Sequence, residues 1–550
     1  MAAISSRARK AGLASVAGIA VLGLSLTGCA PASDDAAPGD GDTASSDVLL
    51  VGTTDKVVSL DPAGAYDNGS LAIQGQVFPY LFNTQIGSAE VEPDLAVSAE
   101  FITDTDYEVT IREGVKWANG HDLTASDVAF SFNRMLAIPE AMEIGPASLL
   151  GTLESVEAVD DATVVFHLTE GPNAVFQQVL TSFPGAIVDE EVFSADSITP
   201  DDEIVAANAF GGPYSITSYT FNEVVELTPN ENYQGLVTPA KNAGIIMNYY
   251  TDEQNMQLAI EQGDIDVAFR SLGATAIEAL RANPDVKVID GPGGEIRYMV
   301  FNFATQPFGT AQADADPAKA LAVRQAMADI VDRATLSEQV YKGTYTPLYS
   351  FVPEGFVGAI EPLKELYGDG NGGPSVDKAK ATLEAAGVAT PVALNIQWSP
   401  DHYGASSADE YALIKDQLEA SGLFTVTLNS TEWTQYSQDR VNDVYSIFQL
   451  GWFPDYSDAD NYLTPFFATE NFLVNHYDNE EVDSLIRQQA VTVDPAERTA
   501  IIEQIQELVA QDLSTLPLLQ GAQVAVVGST IEGAVLDGSF KFRFSALTKG

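Results

Sequence analysis

The chain has 550 residues, 45% of them apolar, and a formal net charge of −52 from 78 acidic side chains against 26 Lys and Arg. This length allows two or three folded domains, and the apolar share is that of an ordinary globular protein. So acidic a surface repels nucleic acid and anionic lipid heads, which argues against nucleic-acid binding; it also serves solubility and would draw in cationic solutes.

The first ten residues carry three cations, Arg7, Arg9 and Lys10. An uncharged stretch of Ala, Gly, Leu, Val and Ser runs from Ala11 to Gly28, and Cys29, the only cysteine, follows. A charged start, an apolar middle and a small-residue end describe a secretory signal. Leu26-Thr27-Gly28-Cys29 resembles the lipobox of bacterial lipoproteins. That resemblance implies a diacylglyceryl group on the thiol and a cut that makes Cys29 the new N-terminus. A transmembrane helix and a buried core thiol remain alternatives, the first weakened by the Gly, Ala and Ser content. Two or more acyl chains on one residue hold a protein to a membrane without a spanning helix. Residues 31–47, PASDDAAPGDGDTASSD, have no large apolar side chain to bury. As a flexible coil they would span ~23 Å. Residues 1–28 are therefore read as a signal peptide and 29–47 as a lipid-anchored linker, with a folded body from Val48 onward.

Along the body, Val48 to Thr53 reads as a short buried strand, and Leu71, Ile73, Val77, Tyr80 and Leu81 as the apolar face of a helix. Tyr107, Val109 and Ile111 alternate with polar residues as a half-buried strand does, and so do Val164, Phe166 and Leu168. Between them, Asn119-Gly120 signals a turn. Thr124-x-x-Asp127 has capping-box spacing ahead of Val128, Phe132 and Met135 at helical spacing. Strand–helix–strand patterns follow at Gly244–Tyr249, Asp252–Gln262 and Ile265–Phe269, and again at Val392–Trp398, Ala408–Ala420 and Phe424–Leu428. Such units build sheets covered by helices. The expected fold is α/β, with two lobes and a mixed domain between Asp67 and Asn208.

Enzyme signatures are scarce. The four histidines, His121, His167, His402 and His476, lie far apart, and no HExxH, CxxC, GxSxG or Walker loop is present. Gly368, Gly370 and Gly373 spell GxGxxG, but no strand precedes them and Pro374 follows, so the segment reads as a loop. Catalytic constellations assemble in space, so missing motifs lower the expectation of an enzyme without excluding one.

YEVTIREGVKWANGHDLTASDVAFSFNRML at 107–136 resembles the signature of extracellular solute-binding proteins of family 5, the oligopeptide- and dipeptide-binding lipoproteins of ABC importers. EPDLA at 92–96, GGPYSI at 211–216, YMVFNFATQPF at 298–308, VRQAMADIVDR at 323–333 and LGWFPDYSDADNYL at 450–463 match in the family's order, as does the helical stretch 479–519. The resemblance implies a periplasmic-binding-protein type II fold, with two lobes closing on a ligand at a hinge. It implies a discontinuous first lobe (48–66, 208–295 and 520–550), a second domain at 67–207 and a second lobe at 296–519. A cleft that closes and reopens suits transport, and no covalent chemistry or cofactor is needed.

Within Gly451-Trp452-Phe453-Pro454-Asp455-Tyr456, expected after a strand Val444–Leu450, the resemblance implies that Asp455 pairs with a ligand's α-ammonium and that Trp452 walls the pocket. A carboxylate in a dry cleft is costly unless paired, and an ammonium supplies a charge-assisted bond. Alternatively, Trp452 is core and Asp455 caps the following helix. Asp455, Asp458 and Asp460 could also suggest calcium, but the EF-hand glycine and terminal glutamate are missing. Asn302 and Phe303, at the end of a strand expected at 296–303, are candidates for the hinge or for plain strand packing. Tyr66, Tyr298, Trp398 and Tyr403 are candidates for the cleft wall, each also compatible with core or surface.

The family's dipeptide binders carry an arginine after the strand ending near Trp398. Here Ser399 to Tyr411 reads SPDHYGASSADEY, with none. This favours a longer peptide held by backbone hydrogen bonds, or a ligand without a carboxylate such as a sugar. His402 could bind a metal chelate or haem, or be an ordinary hydrogen-bonded histidine. The leading reading is a monomeric, lipid-anchored subunit that captures oligopeptides for an ABC permease and its ATPases, touching the membrane only through its lipid. An oligosaccharide or chelate carrier, a peptide sensor and a cell-wall hydrolase are the competitors.

Overall fold

A computed structural model describes residues 48–270, 272–404 and 406–550. The leader, Cys29 and the linker lie outside the described residues. Among those described, no helix is long and apolar enough to cross a membrane.

Three sheets organise the body. The first has seven strands in the order Val286–Gly291, Gln523–Gly528, Val267–Phe269, Val48–Thr53, Gly244–Tyr249, Val224–Pro229 and Tyr214–Thr220. Val48–Thr53 lies at its centre, parallel to both neighbours, so its apolar residues are covered on both faces. The helix Glu253–Gln262 packs on this sheet. Asp252 caps it by accepting the Asn255 N–H at 2.8 Å, and Gly263 ends it in the left-handed region.

The second sheet has six strands in the order Tyr345–Pro347, Thr515–Gly521, Ile296–Phe301, Ile447–Trp452, Val392–Trp398 and Phe424–Ser430. Ile296–Phe301 is buried throughout. Ile296, Tyr298 and Val300 face one core, under the helices Asp460–Phe467, Glu480–Val491 and Pro495–Asp512, while Met299 and Phe301 face another. The period-2 alternation thus loads both faces.

The third sheet is antiparallel: Ala96–Phe101, Asp106–Ile111, Thr163–Leu168 and Leu153–Ala158. The helix Ala125–Ala137 lies over it, carrying the capping box legible in the sequence. Its Val128, Phe132 and Met135 enter the same core as Tyr107, Val109, Ile111 and Phe166.

Some boundaries differ from expectation. The first helix is Asn68–Val77 and ends before Tyr80 and Leu81, because Pro79 forces Phe78 into extended backbone. The strand expected at Val444–Leu450 is Ile447–Trp452. Val444 is 59% exposed and Asp443 is left-handed (φ 58°), so pairing begins later and takes in Gly451 and Trp452.

The chain crosses between the first and second sheets at two adjacent places, residues 292–295 and Ala522. They are stitched together: the Gly521 N–H donates to the Glu295 carbonyl (2.8 Å), Gln520 Nε2 to that of Gly293 (2.7 Å) and Gln523 Nε2 to that of Pro292 (2.8 Å). A Cβ on Gly293 would stand 1.1 Å from the Gly521 oxygen, so only glycine fits.

The segment 54–67, leaving the first sheet toward the third, is pinned by Asp61. This buried carboxylate accepts from Arg134 Nη1 and Nη2 (2.9 and 2.8 Å) and from the N–H groups of Thr199 (2.7 Å) and Ala63 (2.9 Å). Asp61→Ala would leave Arg134 buried and unpaired. It is expected to lower stability by about 3–5 kcal/mol in urea unfolding; a loss within 1 kcal/mol would show the pair to be dispensable.

Candidate functional site

Asp455 lies in the turn between the strand Ile447–Trp452 and the helix Asp460–Phe467. Asn461, 1% exposed on that helix, sets the turn. Its Oδ1 accepts from the Asp455 backbone N–H (2.9 Å) and from Trp452 Nε1 (2.9 Å), and its Nδ2 donates to Asp455 Oδ2 (3.2 Å). Asp455 is therefore not the helix cap. Ala459 holds the cap position with no side-chain cap, and Asp458 Oδ1 accepts the Asp460 N–H at 2.8 Å. The other oxygen of Asp455, Oδ1, accepts from Tyr66 Oη at 2.5 Å. Tyr66 comes from the segment pinned by Asp61, so this bond joins the first-sheet side to the second-sheet side. Phe183 packs edge-on to the Tyr66 ring at 4.9 Å, and Gly145 leaves space for it, since a Cβ there would lie 2.5 Å from Tyr66 Cδ1.

Burial pushes the Asp455 carboxyl up to about 6, while the hydrogen bonds from Tyr66 and Asn461 pull against that rise. Burial and the adjacent Asp455 charge push the Tyr66 phenol well above its ordinary value. A half-buried carboxylate held by neutral donors carries its charge at a cost.

The other anticipated residues separate into three sets. Phe453 shares the turn: its ring lies beneath the Arg270 guanidinium (5.0 Å) and against Phe540 (5.8 Å). Tyr456 donates to Asp460 Oδ2 at 3.0 Å and packs against the core of the third sheet. Tyr403 lies on the strand at Gly451, where a Cβ would meet Tyr403 Cε1 at 2.9 Å. Its backbone oxygen accepts from Arg297, which is also ion-paired with buried Glu410 (3.1 Å).

Trp452 is half-buried and packs on Phe466 (5.0 Å) and Phe472 (5.9 Å), anchoring the turn to the core. Trp398 is half-buried at its strand's end, against the other core of that sheet. His402 is exposed and stacks flat on Trp433 (3.6 Å, 4°).

Two expectations are corrected. Tyr298 is fully buried against Phe351 (4.7 Å) and Phe466 (6.1 Å), because it shares the helix-covered face with Ile296 and Val300. Asn302 is not at the crossover. It follows Phe301, whereas the crossover enters the strand at Ile296. There Asn302 donates to Asp443 Oδ1 (2.8 Å) and accepts from the Ala304 and Thr305 N–H groups (2.9 and 3.1 Å), closing a turn, while Phe303 packs against Tyr477 (5.8 Å). The calcium alternative also meets different geometry. Asp458 pairs with Arg498 (2.6 and 2.9 Å), and Asp460 accepts from Tyr456, Thr464 and Gln489. No group of three or more His, Cys, Asp or Glu suited to a metal occurs among the described residues.

Sequence reading missed Asn461, although it stands in the quoted stretch 450–463, and it missed Arg270 and Asp55. Those two leave neighbouring parallel strands at their carboxyl ends, where α/β sheets place ligands, with Arg270 Nε 2.9 Å from Asp55 Oδ2. Cavities of about 380 Å³ beside the helix Ala125–Ala137 and about 360 Å³ beneath residues 305–314 are lined by none of these residues.

Asp455 titrates above the 3.8 of a free aspartate, so the folded chain holds an extra proton between that value and about 6 and loses stability as pH rises through this window. Above it, the charge costs on the order of 2–3 kcal/mol before solvent screening. Ligand-free Asp455→Asn is expected to melt about 1–2 °C above the parent near pH 7.5, with the gap closing near pH 4. A gap independent of pH, read by calorimetry, would contradict this.

The family model described as bacterial extracellular solute-binding proteins, family 5 Middle, matches residues 90–473. The chain is 25% identical over 503 residues to the probable D,D-dipeptide-binding periplasmic protein DdpA of Escherichia coli K12, covering 89% of this chain and 92% of that protein. It is 25% identical over 551 residues to the dipeptide-binding protein DppE of Bacillus subtilis, covering 94% and 95%. HbpA2 from Haemophilus parasuis superposes with a TM-score of 0.77 at 22% identity, covering 92% of this chain and 100% of that one. The DppA periplasmic binding protein of Helicobacter pylori, solved with the peptide STSA, superposes with a TM-score of 0.71 at 21% identity, covering 91% and 98%. The α/β architecture is the type II periplasmic-binding fold, and the chain belongs to the bacterial extracellular solute-binding proteins of family 5.

Proposed function

We propose that this protein captures peptides between two lobes and delivers them to an ABC permease, held at the outer face of the membrane by a lipid on Cys29. On this reading the first lobe comprises about 48–66, 208–295 and 520–550, the second about 296–519, and residues 67–207 form an added domain beside the first. The observation that carries the reading is the half-buried Asp455 carboxylate at the seam, bonded to Tyr66 of the opposite side. A peptide's α-ammonium is the natural partner for such a group: it brings a full charge and three donors. Relatives named for dipeptide binding support a peptide over a sugar. The cycle needs no covalent step. Tyr66 and Asp455 part, the ammonium enters, and the paired crossovers at 292–295 and Ala522 flex as the lobes close.

Native mass spectrometry of the body with a mixed peptide pool is expected to find bound peptides at neutral pH. Affinity should fall about tenfold per unit as pH drops below about 6, because protonated Asp455 no longer pairs with the ammonium. Asp455→Asn should lose about 3–5 kcal/mol of binding. Capture of no peptide, or capture indifferent to Asp455, would overturn the reading. For the tether, Cys29→Ser is expected to move the protein from the membrane fraction to the soluble fraction; retention in the membrane would refute lipid anchoring.

A further inference from the structure

Between the short paired strands Ile531–Glu532 and Thr548–Lys549 the chain runs out as an arm. The two flanks of the arm are fastened away from the second sheet. The Asp537 carboxylate accepts from the Gly87 N–H (2.8 Å), and Gln523 Nε2 donates to the Asp537 carbonyl (2.6 Å). Farther along, Lys541 Nζ donates to the Thr181 carbonyl (2.6 Å), and Phe542 stacks on Phe269 of the first sheet (4.6 Å, 20°).

The tip of the arm, 538–540, reaches the second-sheet side instead. Ser457 Oγ donates to the Gly538 carbonyl at 2.6 Å. The Phe540 ring stacks on Phe356 (5.8 Å, 17°) and meets Phe453 edge-on (5.8 Å, 67°). Phe356 in turn packs on Tyr462 of the helix Asp460–Phe467 (5.0 Å). Gly294, in the crossover, leaves room for this contact: a Cβ there would lie 2.5 Å from Phe540 Cζ and 2.6 Å from Pro454 Cγ. The tip is thus a non-covalent link beside the two covalent crossings, and it touches the turn that carries Asp455.

Phe540 has φ 59°, a left-handed conformation that is an outlier for so bulky a residue. Such conformations persist where the surroundings fix them, and they gather at functional and switching segments. The fixing contacts here come from both sides of the seam. The ring is only partly buried, so the contact is a surface one that breaks without opening a core.

We propose that Phe540 is a clasp between the lobes: its ring docks on Phe356 and Phe453 when the lobes are together and leaves them when they part, which sets the closed fraction of the ligand-free protein. The inference rests on the two-lobed peptide reading above and deepens it. Phe540 is a positioning residue, acting on capture through the Phe453–Asp455 turn. The aromatic contacts favour closure and the backbone strain opposes it, so the clasp is releasable.

The test is small-angle X-ray scattering of the ligand-free protein, with native mass spectrometry of capture from an equimolar tripeptide pool beside it. Phe540→Gly removes the ring and suits the left-handed backbone, so the arm keeps its path. Its ligand-free radius of gyration is expected to exceed that of the unmodified protein, and its capture to fall at least about threefold as the closed fraction falls. Phe356→Ala, on the other side of the contact, should reproduce both shifts, and Phe540→Tyr, which keeps a ring, should match the unmodified protein. A ring with a packing role alone would lower the melting temperature and leave the radius where it was. An unchanged radius in Phe540→Gly would overturn the inference, as would an equal expansion in Phe540→Tyr. Capture of no peptide by the unmodified protein would overturn the peptide reading, while the ligand-free scattering still decides the clasp. If Phe540→Gly does not fold, the radius of Phe356→Ala decides it.

Discussion

The hydrogen bond between Tyr66 and Asp455 is the contact on which the functional geometry turns. It is short, 2.5 Å, and joins a loop beside the first sheet to a turn leaving the second. It holds a carboxylate in surroundings that resist its charge. A phenol is an adequate but weak partner for that acid, because it brings a dipole and no charge. On the proposed reading a ligand ammonium brings both, so the contact with Tyr66 is exchanged for a better one. Burial raises the Asp455 carboxyl, so its charge is carried at a cost at this point.

The rest of the fold supplies the leverage. The first and second sheets are each covered on both faces by their own cores. The two crossovers lie side by side and are cross-bonded through Gln520 and Gln523. Asp61 and Arg134 fix the origin of the Tyr66 segment, while Asn461 and Trp452 fix the Asp455 turn. Both partners of the seam bond are thus held from behind.

Much of the fold was legible in the sequence, because its signals are local. The box Thr124–Asp127, the buried run Val48–Thr53 and the strand–helix–strand units follow from capping and periodicity. The first helix ran too long only because Pro79 was given too little weight. The site was less legible. Asp455 came from a family resemblance, and its neighbours Phe453 and Tyr456 came with it. Tyr298 and Asn302 were misplaced, although the alternation of Ile296, Tyr298 and Val300 already assigns Tyr298 to an apolar face. Arg270 and Asp55 could not be paired by any local rule: they are distant in sequence, and the φ of Arg270 leaves no mark in it.

The most direct measurement is a crystal structure of the body with a peptide recovered from the mixed pool. The account predicts the peptide's amino nitrogen within about 3 Å of an Asp455 carboxylate oxygen, the Tyr66 hydroxyl withdrawn or sharing that carboxylate, and both lobes in contact with the ligand. A peptide bound elsewhere, with the Tyr66–Asp455 bond intact and Asp455 untouched, would contradict it.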